Sequence, residues 1–307
     1  MHETVESIPT LPPRPADGHK GTFGRVGVVG GCAGSDPRMV GAPALAALGA
    51  VRAGCGLVKI AAPGAIIDAV LTLAPFATGL ALPTDDRGGL SASGSAERFD
   101  ELAGVSDALV VGPGLGRSDG ARAVVLRTVL QEDAPAVLDA DGLNILCELP
   151  EFWRDVRATL VLTPHPGEAR RLMDALSIRG DPAGTGDERT DACVAMARRL
   201  GCVVVLKGAG TVVSDGLRAW VCRAGHPCLG TGGTGDVLAG VIGGLAAGWT
   251  AGGATGGDLF GRVQAGVQAH AAAGEAWARA SGATGGMTPQ DLAGLIPAEI
   301  ERLRSEP

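Results

Sequence analysis

The stretch Gly230-Thr231-Gly232-Gly233-Thr234-Gly235-Asp236 has residue types suited to handling a phosphate, and it runs directly into an apolar sequence at 237–247. Glycines let successive backbone N–H groups converge on one anion, and the N-terminus of a following helix adds partial positive charge. Asp236 stands where a Walker A loop has lysine, so the loop is of another type. A carboxylate beside a phosphate site is repelled unless it works on a hydroxyl or a metal. That points to a base taking the proton from a phosphoryl acceptor. The helix N-terminus is expected to keep Asp236 ionised, a weak base acting late in a loose transition state. An aspartate that merely caps a buried helix would leave the same tetrapeptide. The chain carries its own control in Gly184-Thr185-Gly186-Asp187, which a polar loop precedes and five charges between Glu188 and Arg199 follow. That second copy reads as a surface loop and N-cap, whereas the helix after Asp236 is apolar all round and must be buried.

Further glycine-rich turns follow apolar runs. Gly112-Pro113-Gly114-Leu115-Gly116 comes after Ala108-Leu109-Val110-Val111. Its spacing is wrong for a dinucleotide fingerprint, whose acid about 20 residues on would fall at Asp133 in a polar turn, but it suits a backbone-lined ligand wall. In Thr163-Pro164-His165-Pro166-Gly167-Glu168 two prolines hold His165 extended, which faces it toward a ligand rather than the core. Glu168 is either a first-turn helix charge or an outer partner of a magnesium ion. Asp139, Asp141 and Asn144 do not have the spacing of a calcium loop; they cap a turn or contact a polar substrate or metal. Lys207-Gly208-Ala209-Gly210-Thr211 is a hairpin-like turn with a lysine at its mouth, suited to a nucleotide phosphate or ribose, and Lys20 to Gly24 reads similarly. Lys59 lies within a strand as a structural residue, and His270 packs with Val263, Val267 and Trp277 at helical spacing.

What positions these turns is an alternation of short apolar runs with helical patterns. Strands are expected at 25–30, 57–61, 108–111, 136–138, 159–162, 203–206, 211–213 and 219–222. Helices are expected at 42–53, 120–130 and 187–200, then at 237–247, about 258–280 and 289–303. Such alternation predicts an α/β protein with a mostly parallel sheet covered on both faces, and ligands at the carboxyl ends of its strands. The glycine-rich 248–257 reads as a loop after the buried helix. A polar, proline-rich arm is expected at 1–18 and a single domain at 19–303.

Composition limits the partners. Of 307 residues, 46% are apolar and 19% charged, which excludes a disordered chain. The net charge of −7, without a basic block, and aromatics at only 3%, with no tyrosine, argue against nucleic-acid binding. A nucleotide pocket here must rely on backbone and aliphatic contacts. Only three of the 26 basic residues are lysines (Lys20, Lys59 and Lys207), so each is a candidate for a specific role. Seven scattered cysteines without metal spacing suggest reduced thiols in a cytoplasmic protein. The start of the chain does not read as a signal peptide, and 237–257, with eight glycines, is not a membrane span.

Seven motifs stand together in register: HKGTFGRVGVVGG at 19–31, GAPALAALGAVRAG at 41–54, VVGPGLG at 110–116, LDADGLNIL at 138–146, LTPHPGEARRL at 162–172, VVLKGAGTVV at 204–213 and GTGGTGDVLAGVIGGL at 230–245. Their order, with Gly266, His270, Gly274, Asp291 and Ile296 in the tail, resembles the ADP-dependent NAD(P)H-hydrate dehydratases over about residues 11–303. The resemblance implies a ribokinase-like three-layer α/β/α sandwich. It also implies a lyase that uses ADP, or ATP in some relatives, with Mg²⁺ to phosphorylate the C6 hydroxyl of (6S)-NADHX or NADPHX. Phosphate then leaves, returning NADH or NADPH with AMP and phosphate.

By the same resemblance Asp236 is the acid at the substrate hydroxyl, and Ala42, Gly114, Gly116 and His165 line the hydrate site. Lys207, Gly208, Ala209, Gly210 and Thr211 are expected to bind the nucleotide, with Gly232, Gly233, Thr234 and Gly235 at its phosphates. Glu168 is a tentative outer partner of the magnesium. A homo-oligomer, a tetramer by analogy, and a functional link to a separate NAD(P)H-hydrate epimerase are implied as well. The chain departs from the pattern at His226-Pro227-Cys228, where His226 replaces the usual asparagine, and in the long 248–257 segment. A kinase of the same fold acting on a vitamin-precursor alcohol is the alternative, and a non-catalytic nucleotide sensor the third reading.

Overall fold

Valine-rich runs such as Val203–Leu206 have no polar face, so they are stable only where both sides of a sheet are covered. A computed structural model, describing residues 2–34 and 38–305, places them at the centre of one sheet. Among the described residues the strands are β1 (Glu3–Thr4), β2 (Arg25–Val29), β3 (Leu57–Pro63), β4 (Thr78–Leu82), β5 (Ala108–Val111), β6 (Ala136–Leu138), β7 (Leu160–Leu162), β8 (Val203–Leu206), β9 (Val212–Ser214) and β10 (Arg218–Val221). The helices are α1 (Gly41–Arg52), α2 (Ile67–Leu73), α3 (Ala92–Ala103), α4 (Asp119–Leu130), α5 (Asp141–Glu148), α6 (Pro166–Ala175), α7 (Asp187–Leu200), α8 (Thr234–Ala251), α9 (Leu259–Ser281) and α10 (Pro289–Ser305).

The sheet order is β1-β10-β9-β8-β7-β6-β5-β2-β3-β4, parallel from β4 to β8 and antiparallel through β9 and β10. Side chains of its central strands alternate between two cores. Leu109, Leu138, Leu160 and Val204 pack toward α3 to α7, whereas Val110, Val137, Val161 and Val205 pack toward α1, α2, α8 and α9. A third cluster seats α10 on α8 and α9 through Leu292, Ile296 and Ile300. The expected three-layer α/β/α arrangement is therefore present.

Two strands had no reading in the sequence. β1 has only two residues, and β4 is an edge strand whose exposed Thr78 and Gly79 blur the alternation. The segment 248–257 is corrected in part, because α8 continues to Ala251 before the loop begins. Gly248 is carried within the helix rather than ending it, and Trp249 Nε1 donates to Gly257 O at 3.0 Å, folding the remaining loop back on the helix. At the other end Leu11 is buried and donates its N–H to Leu303 O at 2.8 Å, which fastens the N-terminal stretch to α10.

The buried helix α8 lies against α1 with almost no side chain between them. A Cβ on Gly240 would stand 1.9 Å from the backbone oxygen of Ala46, so any other residue forces the helices apart. Gly240→Ala is expected to destabilise the protein by about 2 kcal/mol despite alanine's better helix propensity. Gly294, in α10, has open space around its Cβ position. Gly294→Ala should instead stabilise by about 0.5–1 kcal/mol, and thermal melts of the two variants should move in opposite directions.

Candidate active site

Parallel register brings the carboxyl ends of the central strands to one edge. Val29 pairs with Val111, Val111 with Leu138, and Leu138 with Leu162. The residues that follow (Gly112, Asp139, Thr163 and, after β8, Lys207) therefore share that edge, as expected for ligand sites in open α/β sheets. Gly112, at φ +122, is fixed as glycine, since a Cβ there would lie 1.9 Å from Asp139 O. Ala140 follows Asp139 at φ +50, a conformation rarely taken by a residue with a side chain, and turns the chain into α5.

The charges on this edge form a connected set. Asp139, 2% exposed, accepts at Oδ1 from Lys207 Nζ at 2.7 Å and from the Thr163 hydroxyl at 2.7 Å. Glu168 Oε2 lies 4.0 Å from the same ammonium and accepts from His165 N at 2.8 Å. Burial works against the Lys207 cation, but Asp139 and Glu168 outweigh it and hold its pKa above the ordinary lysine value. Glu168 is pushed up by burial, with Lys207 and the His165 N–H opposing. His165 is N-cap of α6, and Glu168 completes its capping box. The Nδ1 of His165 accepts from Gly167 N at 3.0 Å, which assigns the neutral ring's proton to Nε2. Its pKa is lowered, first by partial burial and then by Lys207 and Arg171. The side chain is half exposed and outside the core, as its extended Pro-His-Pro setting implied.

Asp236 lies in the first turn of α8 beside this set. Its carboxyl is pushed up to about 7 by burial and by Asp139, with Lys207 pulling the other way. This corrects the expectation of a fully ionised, weak base, because burial and the neighbouring carboxylate outweigh the helix N-terminus. The second GTGD is exposed at Thr185, Gly186 and Asp187, in keeping with its surface reading. Its N-cap is Gly186 at φ +56, without a side-chain cap.

A cavity of about 570 Å³ opens next to Lys207. Its walls include Lys207, Gly208, Ala209, Gly210 and Thr211 on one side and Thr234, Gly235, Leu238 and His270 on another. Gly232, Gly233 and Asp236 adjoin the cavity without lining it. His270 is packed in the core as expected, with Nε2 2.9 Å from Thr234 O. Burial holds its pKa down at about 4, so the neutral ring donates to that carbonyl and steadies the start of α8. Ala42 and Gly114 adjoin each other over β2 and β5, where a Cβ on Gly114 would lie 3.2 Å from that of Ala42. Gly116 N donates to Asp141 Oδ2 at 2.9 Å, and Asn144 accepts from Arg171 Nε at 3.0 Å. Asp141 thus fastens the 112–116 turn and Asn144 ties α5 to α6, and the Ala42 group stands two strands away from His165. Lys20 is exposed and packs by its backbone against Gly56 at the start of β3, at the opposite ends of the strands.

Sequence reasoning did not join Asp139 to Asp236; its signal was an acid placed directly after an apolar strand. His226 and Pro227, where the sequence departs from the family pattern, line the cavity, but Arg223, Ala224 and Gly225 beside them were missed because they carry no motif. Among the described residues no three His, Cys, Asp or Glu side chains cluster as a metal cage. Asp139 and Glu168 are buried oxygen donors, but both face the Lys207 ammonium, at 2.7 and 4.0 Å, so the set fits an ion that meets protein through its bound water rather than direct ligation.

A mostly parallel sheet between two helical layers, with glycine-rich turns and an acid at the start of a buried helix, defines a ribokinase-like protein. A hydroxyethylthiazole kinase protein from Pyrococcus horikoshii shares the fold at 17% identity and a TM-score of 0.57, over 91% of this chain and 88% of that one. The NAD(P)H-hydrate dehydratase family model matches residues 26–298, and the chain belongs to that family. It is 35% identical over 298 residues to the bifunctional NAD(P)H-hydrate repair enzyme Nnr of Moorella thermoacetica, covering 96% of this chain and 53% of that protein. It is 38% identical over 238 residues to Nnr of Coxiella burnetii, covering 76% and 43%. The chain thus spans about half the length of the curated relatives it matches. The ADP/ATP-dependent NAD(P)H-hydrate dehydratase of Bacillus subtilis, co-crystallised with ATP/Mg²⁺, is 28% identical with a TM-score of 0.75, covering 97% of this chain and all of that one.

Removing one member of the Lys207–Asp139 pair should cost more than removing both. Lys207→Met leaves a buried, uncompensated carboxylate and is expected to destabilise by roughly 3 kcal/mol. Adding Asp139→Asn should recover part of that loss. Denaturant unfolding of the two single variants and the double variant measures the coupling, and strict additivity would refute it.

Proposed function

We propose that the chain catalyses ADP- or ATP-dependent dehydration of the (6S)-hydrate of NADH or NADPH. The observation that carries the reading is Asp236, a carboxyl held near neutrality at the start of α8 beside the Lys207 turn and its cavity. A base with that pKa is matched to deprotonating a hydroxyl at physiological pH. With ADP as donor, the substrate C6 oxygen attacks the terminal phosphorus as its proton passes to Asp236. The bridging P–O bond breaks, and AMP leaves. The ring-nitrogen lone pair then expels phosphate from C6, and loss of the C5 proton restores the dihydronicotinamide.

Lys207 to Thr211, with Thr234 and Gly235, hold the nucleotide in this reading, and Gly232 and Gly233 lead its phosphates to the helix. Ala42, Gly114, Gly116 and His165 bound the hydrate along the strand-end edge. Glu168 would face Mg²⁺ as an outer partner, through the ion's bound water, and the ion would neutralise charge on the transferring phosphoryl group when bound. The working protein is a cytoplasmic homo-oligomer whose functional partner is an activity that interconverts the hydrate epimers. No helix among the described residues is long and apolar enough to cross a membrane.

The test mixes protein, NADH hydrate, Mg²⁺ and either ADP or ATP and follows the near-ultraviolet absorbance of reduced nicotinamide. A nucleotide-dependent rise with phosphate release supports the reading and identifies the donor; no rise with either rejects it. Asp236→Asn should lower kcat by roughly 10²–10⁴-fold. Because the base must be ionised, wild-type activity should climb through about pH 7 and level off above it. Stability runs the other way. A carboxyl raised from 3.8 to about 7 binds its proton more tightly in the folded state, so its favourable contribution is lost as pH rises between those values. Asp236→Asn should therefore melt above the wild type at about pH 8 and lose that advantage near about pH 4.

A further inference from the structure

Behind the Lys207 turn lies a cation that the mechanism above does not use. Arg189, the third residue of α7, is 8% exposed. Its Nη2 donates to Leu206 O at 3.0 Å and Lys207 O at 2.6 Å, and its Nη1 donates to Pro182 O at 3.2 Å. Its Nε is buried and has no hydrogen-bond partner. The acids beside it, Asp187 and Glu188, are exposed, and its hydrogen bonds go to carbonyls rather than to a carboxylate. The first turn of a helix is its positive end, which makes the placement still less favourable for a guanidinium. Burial lowers its pKa accordingly. Buried charges are ordinarily paired, so a buried guanidinium satisfied only by carbonyls is incomplete until an anion comes near.

The two carbonyls it holds show where that anion belongs. Leu206 O and Lys207 O are the last acceptors before the turn, and the planar trans peptide fixes the opposite N–H of each unit. Lys207 N is thereby directed to Pro164 O at 2.9 Å and Gly208 N to the Thr211 hydroxyl at 3.3 Å. Arg189 thus sets the exit angle of the strand, the direction of the Lys207 side chain and the shape of the cavity wall. Its charge sits one peptide layer behind that wall.

We propose that Arg189 is a positioning residue for the nucleotide polyphosphate, fixing the Lys207–Thr211 turn and supplying uncompensated positive charge from behind it. The inference rests on the nucleotide reading of the cavity. Its signature is a loss of affinity that follows phosphate charge rather than the nucleoside.

The test is calorimetric titration of the full chain with ATP, ADP and adenosine, for wild type, Arg189→Gln and Arg189→Lys, with thermal melts of each. Gln keeps hydrogen-bond donors and removes the charge, and it should weaken ATP and ADP by about tenfold while adenosine stays within about twofold. Lys keeps the charge without the planar fork, and it should lose about threefold on ADP and nothing on adenosine. In turnover the KM for ADP should rise with kcat within about threefold. A variant that binds ADP like wild type, or one that weakens adenosine as much as ADP, overturns the proposal. A wild type that binds neither ATP nor ADP overturns this inference and the nucleotide reading together, whereas unchanged variants of a binding wild type overturn this inference alone. If Arg189→Gln does not fold, the Arg189→Lys comparison decides by the same criteria.

Discussion

The ion pair between Asp139 and Lys207 is the interaction on which the rest of the site depends. It joins the ends of β6 and β8 across β7, and β7 itself contributes the Thr163 hydroxyl to the same oxygen. Burying a carboxylate and an ammonium costs several kcal/mol per ion unless geometry and extra hydrogen bonds offset it. Here the offset requires three strand ends in one register, so the site and the sheet specify each other. The pair also governs its neighbour. Asp139 pushes the Asp236 carboxyl upward while Lys207 pulls it down, and burial adds to the upward push. The near-neutral acid at the start of α8 is thus a property of the whole edge.

Packing explains why that acid reaches the edge at all. α8 is buried from Thr234 to Ala247 on nearly every side, and its contact with α1 is close enough for backbone to meet backbone. Such a helix has no solvated face to steer it, so the glycines decide how near it comes and where its N-terminus points. α7 shows the other outcome from the same tetrapeptide. Its charged face keeps the exposed Asp187 in water, and only Arg189, Ala192 and their neighbours turn inward. Identical local chemistry yields an exposed carboxyl in one case and a partly buried one in the other, because the following residues differ in polarity.

The same contrast shows what could be read from sequence. The central strands, the amphipathic helix 187–200 and the burial of the helix after Asp236 were legible because each has a period or an unbroken apolar run. β4 was not, since an edge strand exposes residues that break alternation, nor was β1, too short to have a period. The cavity wall at 223–225 was hidden because it carries no motif, although the adjoining His226 and Pro227 stood out as a departure from the family pattern. Lys207 stood out as one of three lysines and Asp139 as an acid directly after a strand, yet their pairing did not. Adjacency in a parallel sheet depends on strand order, and strand order is absent from local pattern. The ionisation of Asp236 was misread for a related reason: its helix is local, whereas burial and Asp139 arrive through tertiary structure.

A chain without tyrosine and with 3% aromatics has few large π surfaces with which to grip a ligand. What it has instead are glycine turns, which expose N–H groups, and a few charges whose placement the sheet enforces. Lys207 and Arg189 are held in different ways. Lys207 faces Asp139 and Glu168, so much of its field is spent within the protein. Arg189 faces carbonyl dipoles, which orient it but do not cancel a full charge. In the proposed role, Arg189 adds positive charge from behind the turn to that of the lysine at its mouth. A site built this way holds its geometry with the neutralised pair and reserves its attraction for the incoming anion.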